Sequence, residues 1–158
     1  MTRPHYDAVV VGAGPAGLVT AICLASNGLH TAIAGPPYNP DPEKPDTRTT
    51  ALLQASVSLL QNTGVWPLCS ENAAALEKIR LIDDTGPFGY NIPNSALVAA
   101  MYRRARDFPN LDVIQTSGAE HIATDSHQVT VSLAEKREIT AKLIVGADGR
   151  NSICRKAA

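Results

Sequence analysis

Three glycines, Gly12, Gly14 and Gly17, follow the apolar run Tyr6–Val11 directly, and few folds can accommodate them there. The run is short, nearly continuous and rich in β-branched residues, the pattern of a strand buried on both faces of a parallel sheet. Each glycine then answers a steric problem. Gly12 permits a tight turn out of the strand, Gly14 has no Cβ to block an approaching phosphate, and Gly17 lets a helix pack closely on the strand. The helix opens at Pro15 and Ala16, and its first amides and partial positive charge suit an anion without any lysine. The absence of a Gly-Lys-Ser/Thr ending argues against a nucleoside-triphosphate loop and for the pyrophosphate of a dinucleotide.

The residues that follow complete the unit. Leu18, Ile22 and Ala25 recur at helical spacing from Pro15 to Asn27, Gly28 stands where a glycine ends a helix, and His30–Ala34 reads as a second strand. Strand, turn, helix and strand in about thirty residues predict a right-handed parallel βαβ unit. One expected part is missing. The second strand of such folds ordinarily ends in Asp or Glu, which accepts hydrogen bonds from the adenosine ribose, and here it ends Ala34-Gly35. Ribose recognition is then weakened or supplied from elsewhere.

Pro36, Pro37, Pro40, Pro42 and Pro45 predict an irregular surface loop between Gly35 and Asp46. Helical spacing returns over Thr50–Thr63, with Gly64 as the stop, and over Asn94–Arg106, where Asn94 or Ser95 supplies a capping oxygen. Leu111–Gln115, Ala119–Ala123, Val129–Leu133 and Glu138–Ala141 alternate apolar and polar residues as half-exposed strands, at least three of them in a β-meander. A further buried strand, Leu143–Ala147, leads into Asp148-Gly-Arg-Asn-Ser152.

Composition narrows the function. A chain of 158 residues suffices for one domain, burying roughly 70% of its unfolded surface. A net charge of −1 leaves no electrostatic footprint for nucleic acid or anionic lipid. The three cysteines, Cys23, Cys69 and Cys154, form no Cys-x-x-Cys pair, which suits a reducing cytoplasmic setting. No segment reads as a signal peptide or approaches the roughly 20 apolar residues of a membrane span. His5, His30, His121 and His127 lack metal-ligand spacing, so no metal is expected. Asp83 and Asp84 read as a solvated turn, Arg103, Arg104 and Arg106 as a solvated helix face, and Trp66 as a core anchor.

Three segments together resemble the aromatic-ring FAD-dependent hydroxylases, in particular the branch acting on the ring precursor of ubiquinone. They are Gly12–Gly17, Asp46-Thr-Arg-Thr-Thr-Ala-Leu-Leu53, and Gly146-Ala-Asp-Gly-Arg-Asn-Ser152; Phe88-Gly-Tyr-Asn-Ile-Pro-Asn-Ser-Ala-Leu97 is also similar. The resemblance implies an α/β, Rossmann-like FAD-binding domain of the glutathione-reductase type with a β-meander insertion, spanning 1–158. FAD would be held by Gly12, Gly14, Pro15, Ala16, Gly17, Arg48 and Asp148, with NAD(P)H as reductant in the parent family. That family carries a longer substrate-domain excursion, expected here in shortened form near 81–90, and a later Gly-Asp fingerprint with no counterpart after Ser152. The flavin carries the chemistry, so no catalytic side chain is expected. The chain is then a cofactor domain that binds FAD without hydroxylating, with self-association where missing segments once packed. A non-catalytic structural or dinucleotide-binding module and an NAD-dependent dehydrogenase domain are the alternatives, the latter leaving Arg48 and Asp148 unexplained.

Overall fold

The computed structural model describes residues 4–38, 43, 46–77 and 89–158. The chain divides into two compact units, one of residues 1–38 and 105–158 and one of residues 39–104.

The first unit is built on a six-stranded sheet. Its strands are β1 (His5–Val11), β2 (Thr31–Gly35), β6 (Leu111–Gln115), β7 (Ala119–Thr124), β8 (Val129–Leu133) and β9 (Arg137–Gly146), in the order β6-β2-β1-β9-β8-β7. β6, β2, β1 and β9 are parallel, and β9, β8 and β7 continue as the antiparallel meander. Helix α1 (Pro15–Ser26) packs on β1, β2 and β6 through its buried Leu18, Ala21, Ile22 and Ala25. A second cluster joins Val9, Val11, Ala32 and Ala34 of the parallel strands to Val129, Val131, Leu133, Ile139 and Ala141 of the meander. α1 ends as its sequence requires. Gly28 adopts φ +85°, a conformation that costs glycine nothing, and its amide donates to Ala25 O. A short helix α4 (Ile153–Ala157) closes the unit, with the Ser152 hydroxyl accepting from the Arg155 amide.

The meander differs from its expected form in one respect. Glu138–Ala141 and Leu143–Ala147 are a single strand, β9, whose first half pairs with β8 and whose second half pairs with β1. Lys142, whose ammonium reaches Asp7 Oδ1 at 2.7 Å, interrupts the apolar pattern without interrupting the backbone. The second half is also less buried than its composition implies, Leu143 being 48% exposed.

The second unit holds β3 (Thr49–Leu53), α2 (Gln54–Asn62), β4 (Ala74–Leu76), β5 (Gly89–Pro93) and α3 (Asn94–Ala105). β3, β5 and β4 form an antiparallel sheet on which α2 packs. The helix expected from Thr50 therefore starts at Gln54. Thr49–Leu53 is extended because it pairs with Gly89–Pro93, a partner distant in sequence. Gly64, at φ +74°, follows α2 as expected. Arg104 is not a solvated side chain: its Nε donates to Thr63 O at 2.8 Å, satisfying a carbonyl at the end of α2. Asn94 Oδ1 accepts from the Thr50 hydroxyl, joining the start of α3 to β3. Trp66 is half-buried and meets Tyr90 edge-on, ring centroids 5.1 Å apart. Asp83 and Asp84, and most of the expected excursion near 81–90, lie outside the described residues.

Candidate functional site

A cavity of about 410 Å³ opens at the C-terminal ends of the parallel strands, a size typical of small-molecule sites. Its position follows from topology. The chain runs outward from β1 to β2 and β6, then returns to place β9 on the other side of β1. Such a reversal leaves a crevice beyond the strand ends, where ligands of open α/β sheets bind.

The glycine turn forms one wall, and each glycine is there for a different reason. Gly12 has φ +110°, and a Cβ on it would stand 2.2 Å from Ala147 O. A Cβ on Gly17 would stand 1.8 Å from Gly12 O and 3.3 Å from the Ala147 Cβ, so α1 can seat against the strand ends only with glycine there. Gly14 is the opposite case. Its backbone, at φ −78° and ψ 177°, is open to any residue, and nothing lies within 4 Å of where its Cβ would be. The space in front of α1 is free, and a side chain at 14 would fill it.

Gly14 is also the N-cap of α1 and supplies no capping oxygen. Pro15 at the first helical position has no N–H to satisfy, and the first-turn amides of Ala16 and Gly17 have no acceptor within the helix. Gly14, Pro15 and Ala16 are all exposed. Donors and the positive end of the helix thus face open space, an arrangement suited to a phosphate group.

Asp148 stands on the opposite side of the turn, on the loop leaving β9. Its Oδ2 accepts from the amides of Ile153 at 2.7 Å and Cys154 at 3.2 Å, capping α4. Burial pushes the carboxyl upward, but the hydrogen bonds it accepts outweigh burial, and the group lies below its ordinary range. It is therefore a carboxylate at neutral pH. Its Oδ1 is buried without a hydrogen-bond partner, an acceptor that a ligand hydroxyl or amide would satisfy. Beside it, burial and the Asp148 charge push the Cys154 thiol up to about 11.

Gly12, Gly14, Pro15, Ala16, Gly17 and Asp148 thus belong to one unit and converge on one turn. Arg48 belongs to the other unit, where its Nε and Nη2 donate to the two carboxylate oxygens of Asp46 at 2.8 and 2.7 Å. That bidentate pair is exposed, and it lowers the Asp46 carboxyl to about 2. Sequence reasoning missed Ser117, Gly118 and Asn151 in the cavity wall. Ser117 and Gly118 follow β6 after Thr116, so like the glycine turn they stand beyond the C-terminal end of a parallel strand.

The residues present fit a dinucleotide, and comparison with known proteins identifies which. Residues 5–158 match the family model of the FAD binding domain. The ubiquinone hydroxylase UbiL of Rhodospirillum rubrum is 28% identical over 170 residues, covering 96% of this chain and 39% of the relative. The 3-demethoxyubiquinol 3-hydroxylase of Escherichia coli is 30% identical over 178 residues, covering 100% of this chain and 45% of the relative. The chain thus spans less than half the length of these relatives. The p-nitrophenol 4-monooxygenase PnpA of Pseudomonas putida shares the fold, with a TM-score of 0.78 at 20% identity over 98% of this chain and 43% of its own. An open helix N-terminus beside two sterically required glycines, Gly12 and Gly17, an unsatisfied carboxylate oxygen near it and a family match over nearly the whole chain make this protein a member of the FAD binding domain family.

Proposed function

We propose that this chain binds FAD at the strand-end cavity and, by itself, does not hydroxylate a substrate. The observation that carries the reading is the free space at Gly14, directly before the uncapped start of α1. Gly12 and Gly17 let the turn close, Gly14, Pro15 and Ala16 leave room for the pyrophosphate, and the Ala16 and Gly17 amides donate to it. Asp148 offers its unsatisfied oxygen to the ligand while its other oxygen keeps α4 in place. Arg48 is assigned a second phosphate or ribose contact, for which its planar guanidinium is suited.

When bound, FAD supplies the redox chemistry, which in the parental reaction is reduction by NAD(P)H and use of O₂ to hydroxylate an electron-rich ring. The protein's part is to hold the cofactor and exclude water, and it needs no nucleophilic side chain. A ring-binding region is assigned to the parts of the longer relatives that this chain does not span. The E. coli alignment runs over 178 residues against 158 here, which supports an internal segment shortened in this chain.

The test is isothermal titration with FAD, repeated on Gly14→Val and Arg48→Ala, together with NAD(P)H oxidation in the presence of a phenolic acceptor. Binding lost in Gly14→Val and weakened in Arg48→Ala, with no product formed, is the expected result. Absence of binding in the unaltered chain leaves a structural module. Preference for NAD over FAD makes it a dehydrogenase domain, and robust hydroxylation refutes the non-catalytic reading.

A further inference from the structure

β2 ends at Gly35, where a dinucleotide-binding strand ordinarily presents an acid to the adenosine ribose. The acid cannot simply be put back. A Cβ at this position would lie 2.6 Å from Ala13 N and 2.7 Å from the Ala13 Cβ, inside the glycine turn itself. Contacts of that kind are resolved only by moving backbone, so the chain has traded the side chain at 35 for close approach of the turn.

The neighbouring strand offers a replacement. Gly35 pairs with Gln115 of β6, and Gly35 O accepts from the Thr116 amide at 3.0 Å, so the segment Thr116–Gly118 leaves the sheet beside the missing acid. Ser117 and Gly118 line the same cavity as Gly35 and Pro36. This segment is tied down from the hairpin between β8 and β9. Glu135 accepts from Thr116 Oγ1 at 2.8 Å and from the Ser117 amide at 3.1 Å, and Ser117 Oγ stands 3.5 Å from Glu135 Oε1. Arg137 secures the carboxylate from the other side at 3.3 Å while donating to Gln115 O. A hydroxyl whose proton points toward Glu135 keeps its lone pairs for a ligand, and accepting from a ribose hydroxyl is the task the strand-end acid would have had.

We propose that Ser117, positioned by Glu135, replaces the strand-end acid and hydrogen-bonds the adenosine ribose of the bound dinucleotide. The proposal rests on the FAD reading above and adds the residue that recognises the sugar. Ser117 is the contact residue; Glu135 does not line the cavity and acts through Ser117.

The experiment is calorimetric titration of the chain and of Ser117→Ala, Glu135→Ala and their double variant with FAD, ADP and 2′,3′-dideoxy-ADP. Circular dichroism establishes that each variant is folded, and Ser117, being exposed, can be shortened without opening a core cavity. Ser117→Ala is expected to weaken FAD and ADP by about three- to tenfold, the range for one hydrogen bond, and to leave dideoxy-ADP unchanged. Glu135→Ala should do the same, and the double variant should lose no more than either single one. Equal loss for ADP and dideoxy-ADP, or no loss for ADP, overturns the assignment of Ser117 while leaving FAD binding intact. Failure of the unaltered chain to bind FAD or ADP overturns both readings.

Discussion

Adding side chains at Gly17 and Gly14 should separate the fold from the site it builds. At Gly17 a methyl group would stand 1.8 Å from Gly12 O, whereas a comfortable carbon–oxygen separation is about 3.3 Å. The obstruction is backbone, so relief requires α1 to retreat by about 1.5 Å and loosen Leu18, Ala21 and Ile22 from the sheet. Overpacking of this kind costs about 1–3 kcal/mol, or roughly 2–12 °C in melting temperature for a domain of this size. At Gly14 the extended backbone accepts valine and no atom lies within 4 Å, so Gly14→Val should cost less than about 1 kcal/mol. FAD affinity should nevertheless fall more than tenfold in Gly14→Val, corresponding to over about 1.4 kcal/mol. Thermal unfolding by circular dichroism and FAD titration on the same samples give both quantities. A Gly14→Val protein as destabilised as Gly17→Ala, or one that binds FAD like the unaltered chain, refutes the steric argument.

Three further outcomes follow from the geometry. Asp148→Ala removes the one oxygen, Oδ2, that accepts from the Ile153 and Cys154 amides at the start of α4 and should cost about 1 kcal/mol in chemical denaturation. Because the folded carboxyl lies below its ordinary value of 3.8, this contribution is fully present above that value, and acid titration should show it lost as pH falls through the lower, folded one. Gly35→Glu should lower stability and fail to improve ribose discrimination, since its Cβ enters the space of Ala13; tighter ADP binding with an unchanged melting temperature counts against this. The Cys154 thiol, pushed up to about 11, should resist iodoacetamide in the native protein at pH 8 and react on unfolding, as read by peptide mass spectrometry; rapid native alkylation contradicts the placement beside Asp148.

What could be read in advance depended on how local the cause was. The first βαβ unit was legible because Gly12 and Gly28 take positive φ and Gly17 packs on Gly12 O, demands set within a turn or two of their own positions. The strand Thr49–Leu53 was not, since its partner in β5 is some forty residues away and its composition suits a helix equally well. β9 was read in two pieces because Lys142 breaks the hydrophobic pattern, while strand continuity comes from backbone pairing with β1 and β8 that no pattern reports. The cavity wall followed the same division. Gly14 and Asp148 lie in recognisable motifs, whereas Ser117 gains its place through Glu135, eighteen residues on, by side-chain bonds that only the folded hairpin brings together.

The pairing of β1 with β9 also bears on how the protein is made. β1 sits inside the sheet and leaves the ribosome before either of its neighbours, and one of them, from Thr140 to Gly146, is synthesised after every other strand of that sheet. Until then β1 can be covered by β2 on one side only, and its other edge is an open row of amides and carbonyls on an apolar strand. A nascent chain stalled before Arg137 therefore carries a sticky edge next to a glycine turn that still lacks Ala147, and its exposure lasts as long as translation of the intervening residues. Completion of the sheet therefore waits on the strand of it that is made last.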